Sequence, residues 1–181
     1  MRINPNNAIA HNNLGVVLAR KGNAIEAGSQ FFEAIRINSD YAGAYYNLGK
    51  IFSNQGKTED AILYYRKTLH INPNMTQPLY NLSWIFATHR DAEYRNGEDA
   101  LKLAQRLCEI TRYKQPLALD SLAAAYAAMG NFDNAVSTAK KAFILALDQG
   151  PEELVLGLKE RLKLYRAERP YLQPRSGEGK N

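Results

Sequence analysis

Apolar positions along the chain follow the 3.6-residue period of amphipathic helices, and short polar turns interrupt them at regular intervals. In residues 42–74, Leu48 and Phe52 share one face of a first predicted helix, while Ala61 and Tyr65 share one face of a second. Two helices alone cannot bury both faces, so each pair needs neighbours. The pattern therefore predicts an all-α chain of stacked helical hairpins.

The hairpin recurs with a fixed period. A spacing of 34 residues relates two series of identical residues: Asn13, Asn47 and Asn81, and Leu14, Leu48 and Leu82. Self-similarity at this period is typical of stacked-repeat proteins. We predict helices near 8–21, 24–37, 42–55, 58–71, 97–112 and 117–129, a helix with Pro78 in its first turn that ends near His89, and a last helix from Pro151.

Small residues predict close contacts and helix ends inside each hairpin. Gly49 lacks a side chain, so its helix can approach the second helix, and Ala61 allows the same from the other side. Gly56 follows the first helix, where a residue that accepts positive φ ends it.

This pattern resembles the tetratricopeptide repeat, in which Leu and Gly are adjacent, an aromatic residue follows, and Ala, an aromatic residue, Ala and Pro come later. The second repeat carries the series as Leu48, Gly49, Phe52, Ala61, Tyr65, Thr68 and Pro73. The resemblance implies a right-handed superhelix of four helix-turn-helix repeats plus a C-terminal capping helix. The C-terminal part also resembles bacterial repeat proteins similar to O-linked N-acetylglucosamine transferases, in the repeats only and without a transferase domain.

The period also predicts the division of the chain. Repeats are expected at 8–41, 42–75, 76–115, with an insertion at about 90–97, and 116–149, followed by a capping helix at 150–169 and a disordered tail at 170–181. Residues 1–7 carry the Ile-Asn-Pro-Asn that elsewhere closes a second helix. We interpret them as the remnant of a preceding repeat, and we expect either a C-terminal piece of a longer protein or an array that once had more repeats upstream.

The last helix is predicted to cover an almost wholly apolar helix at 117–129. Its apolar stripe contains Leu154, Leu158, Leu162 and Tyr165, while its outer side is predicted to contain Glu160, Arg161, Lys163 and Arg166. A helix that is apolar on all faces must be covered by other elements on all faces. The last helix is the nearest candidate to cover the helix at 117–129.

Composition narrows the function. The net charge is +5, but 18 acidic residues are interspersed among 23 basic ones, which favours a solvated surface over a nucleic-acid face. The single Cys108 lies on an apolar stripe, which indicates a buried thiol. The sequence contains neither an apolar run of membrane-spanning length nor a signal-peptide core, so a cytoplasmic location is predicted.

Catalytic motifs are missing from the sequence. His11, His70 and His89 belong to different repeats and have no helix-spaced acidic or histidine partner, so neither a metal nor another cofactor is expected. Asp120 has no paired second carboxylate, which favours a structural role over acid–base chemistry. We therefore predict that the chain is not an enzyme.

The resemblance implies that the first helices line a concave groove that receives an extended peptide or a partner helix. The predicted peptide-binding residues are Asn12, Asn13, Arg20, Tyr46, Asn47, Lys50, Asn54, Gln77, Tyr80, Asn81 and Trp84. Asparagine amides suit a peptide backbone, although these side chains could equally bond locally, and Trp84 could instead pack on the fourth repeat. Asn12, Gln77 and Asn81 occupy places that are basic in carboxylate-clamp proteins, which argues against such a clamp.

Three functions follow from these patterns. The first is a protein–protein interaction scaffold that holds a peptide or helix in the groove. The second is a non-catalytic recognition region of a larger protein that is membrane-bound or glycosyltransferase-like. The third is a structural module that self-assembles through the face of its N-terminal repeat.

Overall fold

The computed structural model describes residues 7–174, and all regular structure in that range is helical. A three-residue 3₁₀ helix, Ala92–Tyr94, lies between the fifth and sixth α-helices. The α-helices are α1 (Ala8–Arg20), α2 (Ala24–Ile37), α3 (Ala42–Asn54), α4 (Thr58–Ile71), α5 (Thr76–Thr88), α6 (Gly97–Ile110), α7 (Pro116–Ala128), α8 (Phe132–Gln149) and α9 (Glu152–Arg166). The predicted all-α repeat fold is confirmed.

The chain forms two compact units, Met1–Pro78 (unit 1) and Leu79–Asn181 (unit 2). In unit 1, α1 packs against α2, α2 against α3 and α3 against α4, and α1 also contacts α3. The buried residues of α1–α3 form one apolar core, which contains Phe31 and Leu48. The first helices of two successive hairpins are therefore neighbours in this unit.

Glycine sets the closest approach inside each hairpin of unit 1. A Cβ added at Gly15 would lie 2.5 Å from Cε1 of Phe31, and one added at Gly49 would lie 2.6 Å from two carbons of the Tyr65 ring. Both distances are below van der Waals contact, so only glycine allows these rings to lie against the facing helix. Gly56 ends the α3 turn with φ 72°, as predicted.

In unit 2, α7 lies between α6 and α8, and α9 packs on α8. Alanines of α7 and α8 meet Leu162 and Tyr165 of α9 in a second core. Because their side chains are small, Ala123 and Ala139 can be fully buried there. The last helix thus joins the core of the apolar α7, as predicted.

Two expectations for the C-terminal region differ from the structure. Arg161 was placed on the outer side of the last helix, but it is only 9% exposed. The tail was expected to be disordered from residue 170, but Tyr171 packs on Trp84 and Gln173 bonds to Thr88. Residues 175–181 of that tail, and residues 1–6 of the predicted N-terminal remnant, lie outside the described residues.

The insertion at about 90–97 is held by local contacts. The guanidinium of Arg95 donates to the carbonyl oxygens of His89 at 2.9 Å and Arg90 at 2.5 Å. Asn96 then caps α6 by accepting the backbone N–H of Asp99 at 3.0 Å. The loop therefore enters α6 in a defined geometry.

Candidate functional site

Three of the predicted asparagines form a hydrogen-bonded network across the first helices of unit 1. The side-chain amide of Asn47 donates to Oδ1 of Asn12 at 2.9 Å, and the side-chain amide of Asn12 in turn donates to Oδ1 of Asn13 at 3.5 Å. Asn12 is 7% exposed, whereas Asn13 is exposed. Local bonding therefore fixes Asn12 and orients Asn47, while Asn13 faces solvent. Asn81 belongs to unit 2, so a ladder through all three repeats stays a prediction.

A small pocket lies beside this network. It has a volume of about 220 Å³ and joins α1, α2 and α3 through Val16, Ala19, Arg20, Phe31, Asn47, Lys50, Ile51 and Asn54. Four of these were predicted from the sequence: Arg20, Asn47, Lys50 and Asn54. The lining contains two cationic side chains, two amides and apolar groups, but no carboxylate. Its size suits single side chains better than a drug-sized molecule.

Tyr46 contacts Lys50, which is one of the residues that line this pocket. Its ring is half-buried and lies 5.9 Å from the ring of Tyr65. The ammonium of Lys50 lies 5.8 Å from the Tyr46 ring centroid, a geometry in which the ring attracts the cation. Tyr46 therefore helps to position the charge of Lys50 at the pocket.

The predicted site residues of α5 are arranged differently. Gln77 is exposed at the start of the helix and Asn81 is half-buried. Tyr80 and Trp84 stack with their centroids 5.9 Å apart. Burial, reinforced by the nearby charge of Asp120, raises the pKa of Tyr80 to about 12. Within unit 2 these two aromatic residues are thus partly covered.

Trp84 is covered by the C-terminal part of its own chain. The guanidinium carbon of Arg161 lies 5.3 Å from the Trp84 ring centroid, and the ring of Tyr171 lies 5.9 Å away. Trp84 thus packs on Arg161 and Tyr171 of its own unit.

Asp120 and Arg161 form a buried ion pair in unit 2. Nε of Arg161 donates to Oδ1 of Asp120 at 2.8 Å, and Nη2 donates to Oδ2 at 2.6 Å. Burial raises the pKa of Asp120, against the opposing effect of the guanidinium. The structural role predicted for Asp120 is therefore supported. The partner of Asp120 was not evident from the sequence pattern, because Arg161 stands beside Lys163 and Glu160 on a helix that looks solvated on that side.

We also considered metal binding, thiol chemistry and membrane spanning for residues 7–174. This range holds no cluster of three or more histidine, cysteine or acidic residues that could bind a metal ion. Cys108 is fully buried, and burial raises the pKa of its thiol to about 12, so the reactive thiolate is disfavoured. None of the helices described is both long and apolar enough to cross a bilayer.

Unit 2 also has a larger pocket that sequence reasoning missed. Its volume is about 600 Å³, and its lining includes Tyr113, Tyr126 and Lys141. Arg112 and Tyr113 have positive φ values of 52° and 56°, which is uncommon for residues with side chains. Periodicity cannot reveal such a turn, because neither residue is glycine.

Paired helices that recur at a fixed spacing, with glycine or alanine at their crossings, define a helical-repeat protein. Three tetratricopeptide repeat families match the chain, at residues 42–75, 2–42 and 118–153. Together these matches cover more than half of the sequence. The chain belongs to the tetratricopeptide repeat proteins.

Solved structures show the same fold. A crystal structure of MamA has a TM-score of 0.68 at 22% identity, covering 81% of this chain and 82% of that one. MamA 41-end from Desulfovibrio magneticus RS-1 has a TM-score of 0.69 at 17% identity, covering 89% and 90%. A tetratricopeptide repeat protein from Parabacteroides merdae ATCC 43184 has a TM-score of 0.72 at 20% identity, covering 91% and 61%. No curated protein matches the chain.

Tetratricopeptide repeats are generally non-catalytic modules that bind protein partners. The family therefore assigns this chain the general role of a protein-interaction scaffold. The comparisons name no partner for it. The resemblance to glycosyltransferase repeats and the cytoplasmic location both stay predictions.

Proposed function

We propose that the chain holds an extended peptide along α1 and α3 of unit 1, without chemistry. The observation that carries the proposal is the pocket in which Arg20, Lys50, Asn47 and Asn54 meet. Amides can pair with the backbone of any extended peptide, because they offer both a donor and an acceptor. The pocket then selects one side chain of that peptide.

The charge of the pocket favours an acidic side chain. Its lining contains the guanidinium of Arg20 and the ammonium of Lys50 but no carboxylate. A partner aspartate or glutamate would gain charge-assisted hydrogen bonds there, and its apolar stem would contact Val16. This differs from a clamp on a terminal carboxylate, for which the required basic positions are missing.

Selection from a displayed library of random peptides tests the proposal. We expect the selected peptides to be enriched in Asp and Glu. Arg20→Ala/Lys50→Ala should weaken their binding about tenfold or more, which corresponds to roughly 1.4 kcal/mol. Arg36→Ala is the matched control, because Arg36 lies on α2 in an exposed pair with Glu33 and outside the pocket.

Two outcomes would contradict the proposal. One is a set of selected peptides without acidic enrichment, and the other is equal loss of binding in Arg36→Ala and in the pocket variant. Asn47→Ala should weaken binding as well. Its free energy of unfolding should fall by about 1–3 kcal/mol as well, because the buried side-chain oxygen of Asn12 loses the hydrogen bond from Asn47, so binding is measured on protein that circular dichroism shows to be folded.

Self-association is a second candidate, and the surface of the first repeat favours it. Ile25 is 82% exposed and Ile9 is 58% exposed, values that are high for large aliphatic side chains. If this surface pairs with another copy, Ile25→Asp should abolish concentration-dependent oligomers in sedimentation velocity. Wild-type protein that stays monomeric up to high micromolar concentration would remove this candidate.

A further inference from the structure

We infer that unit 2 contains a second peptide site, and that the chain's own residues 170–174 (the C-terminal segment) occupy it. This site would recognise an extended peptide with an aromatic residue followed, two positions later, by glutamine or asparagine. The inference goes beyond the proposed function, because it concerns different helices, a different ligand chemistry and a surface that is already filled.

A defined turn directs the C-terminal segment away from α9. Glu168 adopts a positive φ of 52°. Its N–H donates to the carbonyl oxygen of Tyr165 at 3.1 Å, and the N–H of Arg169 donates to the carbonyl oxygen of Leu164 at 3.0 Å. This pair of hydrogen bonds is the Schellman arrangement that ends a helix. The chain after Arg169 therefore leaves α9 in a fixed direction.

Proline then favours an extended conformation. Pro170 and Pro174 flank the sequence Tyr-Leu-Gln. Proline restricts its own φ and disfavours the helical region for the residue before it. The segment consequently loses less conformational entropy on binding than a flexible chain of equal length would.

Burial in the segment alternates with the period of an extended chain. Tyr171 and Gln173 are half-buried, whereas Pro170, Leu172 and Pro174 are exposed. A period of two means that alternate side chains face one surface. The segment therefore presents an aromatic ring and an amide to unit 2 and turns Leu172 to solvent.

Gln173 is bound at two points by one buried residue of α5. Its backbone N–H donates to the carbonyl oxygen of Thr88 at 2.8 Å, and its side-chain amide donates to the Thr88 hydroxyl at 2.8 Å. The Thr88 hydroxyl is itself fixed, because it donates to the carbonyl of Trp84 at 2.7 Å. The backbone hydrogen bond is possible for any residue except proline, whereas the side-chain hydrogen bond selects a side chain that can donate.

Tyr171 lies in an aromatic site built by three residues. Its ring packs on Trp84, and the guanidinium of Arg161 lies 5.4 Å from the Tyr171 ring and 5.3 Å from the Trp84 ring. Asp120 holds that guanidinium through the buried ion pair. A planar cation that contacts two rings is favourable, and its ion pair fixes it in place, so the site is preorganised for an aromatic side chain.

The helix positions involved are those that line the pocket of unit 1. Trp84 and Thr88 stand 34 residues after Lys50 and Asn54, at the same places in the repeat. The segment thus uses in unit 2 the positions at which a peptide is proposed to bind in unit 1. A segment tethered in this way acts at an effective concentration of roughly millimolar, which a free peptide must exceed in order to compete.

Fluorescence anisotropy with a labelled peptide of residues 169–174, Arg-Pro-Tyr-Leu-Gln-Pro, tests the inference on the full chain. Wild type should bind this peptide poorly, because the site is filled. Tyr171→Ala/Gln173→Ala should bind it at least about tenfold more tightly, because its own segment no longer competes. Leu172→Ala is the matched control within the segment, and it should behave as wild type.

The only tryptophan in the sequence, Trp84, supplies a second readout. Its emission should change when the peptide enters the opened variant and should stay constant with a peptide that has alanine at the Tyr and Gln positions. Circular dichroism verifies that each variant folds. If the double variant does not fold, Gln173→Ala alone should still improve peptide binding about threefold.

Three results would overturn the inference. They are a folded opened variant that binds the peptide no better than wild type, an equal gain in Leu172→Ala, and peptide binding that leaves Trp84 emission unchanged. None of these depends on the pocket of unit 1. Arg20→Ala/Lys50→Ala should leave the binding of this peptide unaffected, so the two proposals can fail separately.

Discussion

Arg161 and Asp120 join the last helix to α7 through two hydrogen bonds of 2.8 and 2.6 Å, although 41 residues separate them in the sequence. The carboxylate is 1% exposed and the arginine 9%. Both charges are thus removed from water, and each is tolerated because the other is present. The same guanidinium contacts Trp84, so the pair links the core of unit 2 to the surface that the C-terminal segment covers.

Removal of one partner of this pair should destabilise the protein strongly. Asp120→Ala leaves a buried guanidinium without its anion, and the free energy of unfolding should fall by about 3–5 kcal/mol. Urea denaturation followed by circular dichroism measures this loss. Asp120→Ala/Arg161→Met should lose less than the single variant, because no uncompensated charge remains.

The control for that prediction is the ion pair of Lys163 and Glu160, which has a similar distance of 2.8 Å but exposed side chains. Lys163→Ala should change the free energy of unfolding by less than about 1 kcal/mol. A loss as large as that of Asp120→Ala would show that burial does not set the strength of these pairs.

Alanine substitution should have opposite effects at two helical glycines. Gly49→Ala would place a Cβ 2.6 Å from the buried Tyr65 ring, so overpacking should destabilise unit 1 by about 1–3 kcal/mol. Gly28 lies within α2 with nothing within 4 Å of an added Cβ, so Gly28→Ala should stabilise by about 0.5–1 kcal/mol. The midpoints of urea unfolding should shift in opposite directions, and a shift in the same direction would argue against the crowding at Gly49.

Helix caps offer a third test. The side chain of Asn96 accepts the N–H of Asp99 at 3.0 Å, whereas Asn23, the N-cap of α2, makes no side-chain cap bond. Asn96→Ala should therefore cost about 1 kcal/mol and Asn23→Ala much less. Thermal unfolding of both variants measures the difference. Equal losses would mean that the cap bond of Asn96 contributes little.

Alkaline pH should weaken the fold through Cys108. Burial raises the pKa of its thiol from 9.0 to about 12, so above pH 9 the unfolded chain releases this proton while the folded chain retains it. Stability is then complete below pH 9 and is lost as the pH rises towards 12, by up to about 1.4 kcal/mol per pH unit. Urea unfolding at pH 8, 9 and 10 measures the slope.

Cys108→Ala should flatten that slope, because it removes the titrating group. Tyr80 also has a raised pKa, but its ordinary value of 10.0 places its effect mainly above pH 10. Parallel slopes for wild type and Cys108→Ala between pH 9 and 10 would contradict the assignment.

Periodicity predicted the helices well, because each helix buries one face and its ends carry local signals. The predicted helices at 24–37 and 58–71 coincide with α2 and α4. The crossing at Gly49 was predictable for the same reason, since a small residue at a fixed place in a repeat indicates close approach. In unit 1, four predicted site residues do line one pocket.

The contacts of unit 2 were not predictable from such signals. Arg161 and Asp120 depend on a pairing between distant parts of the chain, and a charged residue at the edge of an apolar stripe is normally solvated. The segment at Tyr171 and Gln173 is polar and lacks helical periodicity, so it resembles a disordered tail. Its order comes from contacts with Thr88 and Trp84, more than 80 residues away.

The glycine–ring crossings of unit 1 also determine how this sequence can vary. Gly15 and Phe31, like Gly49 and Tyr65, leave no room for a methyl group between them. Alanine at either glycine should be destabilising unless a smaller residue replaces the facing ring. The two positions of each pair are therefore coupled, and a library that randomises both positions jointly should recover combinations more stable than the single glycine substitutions.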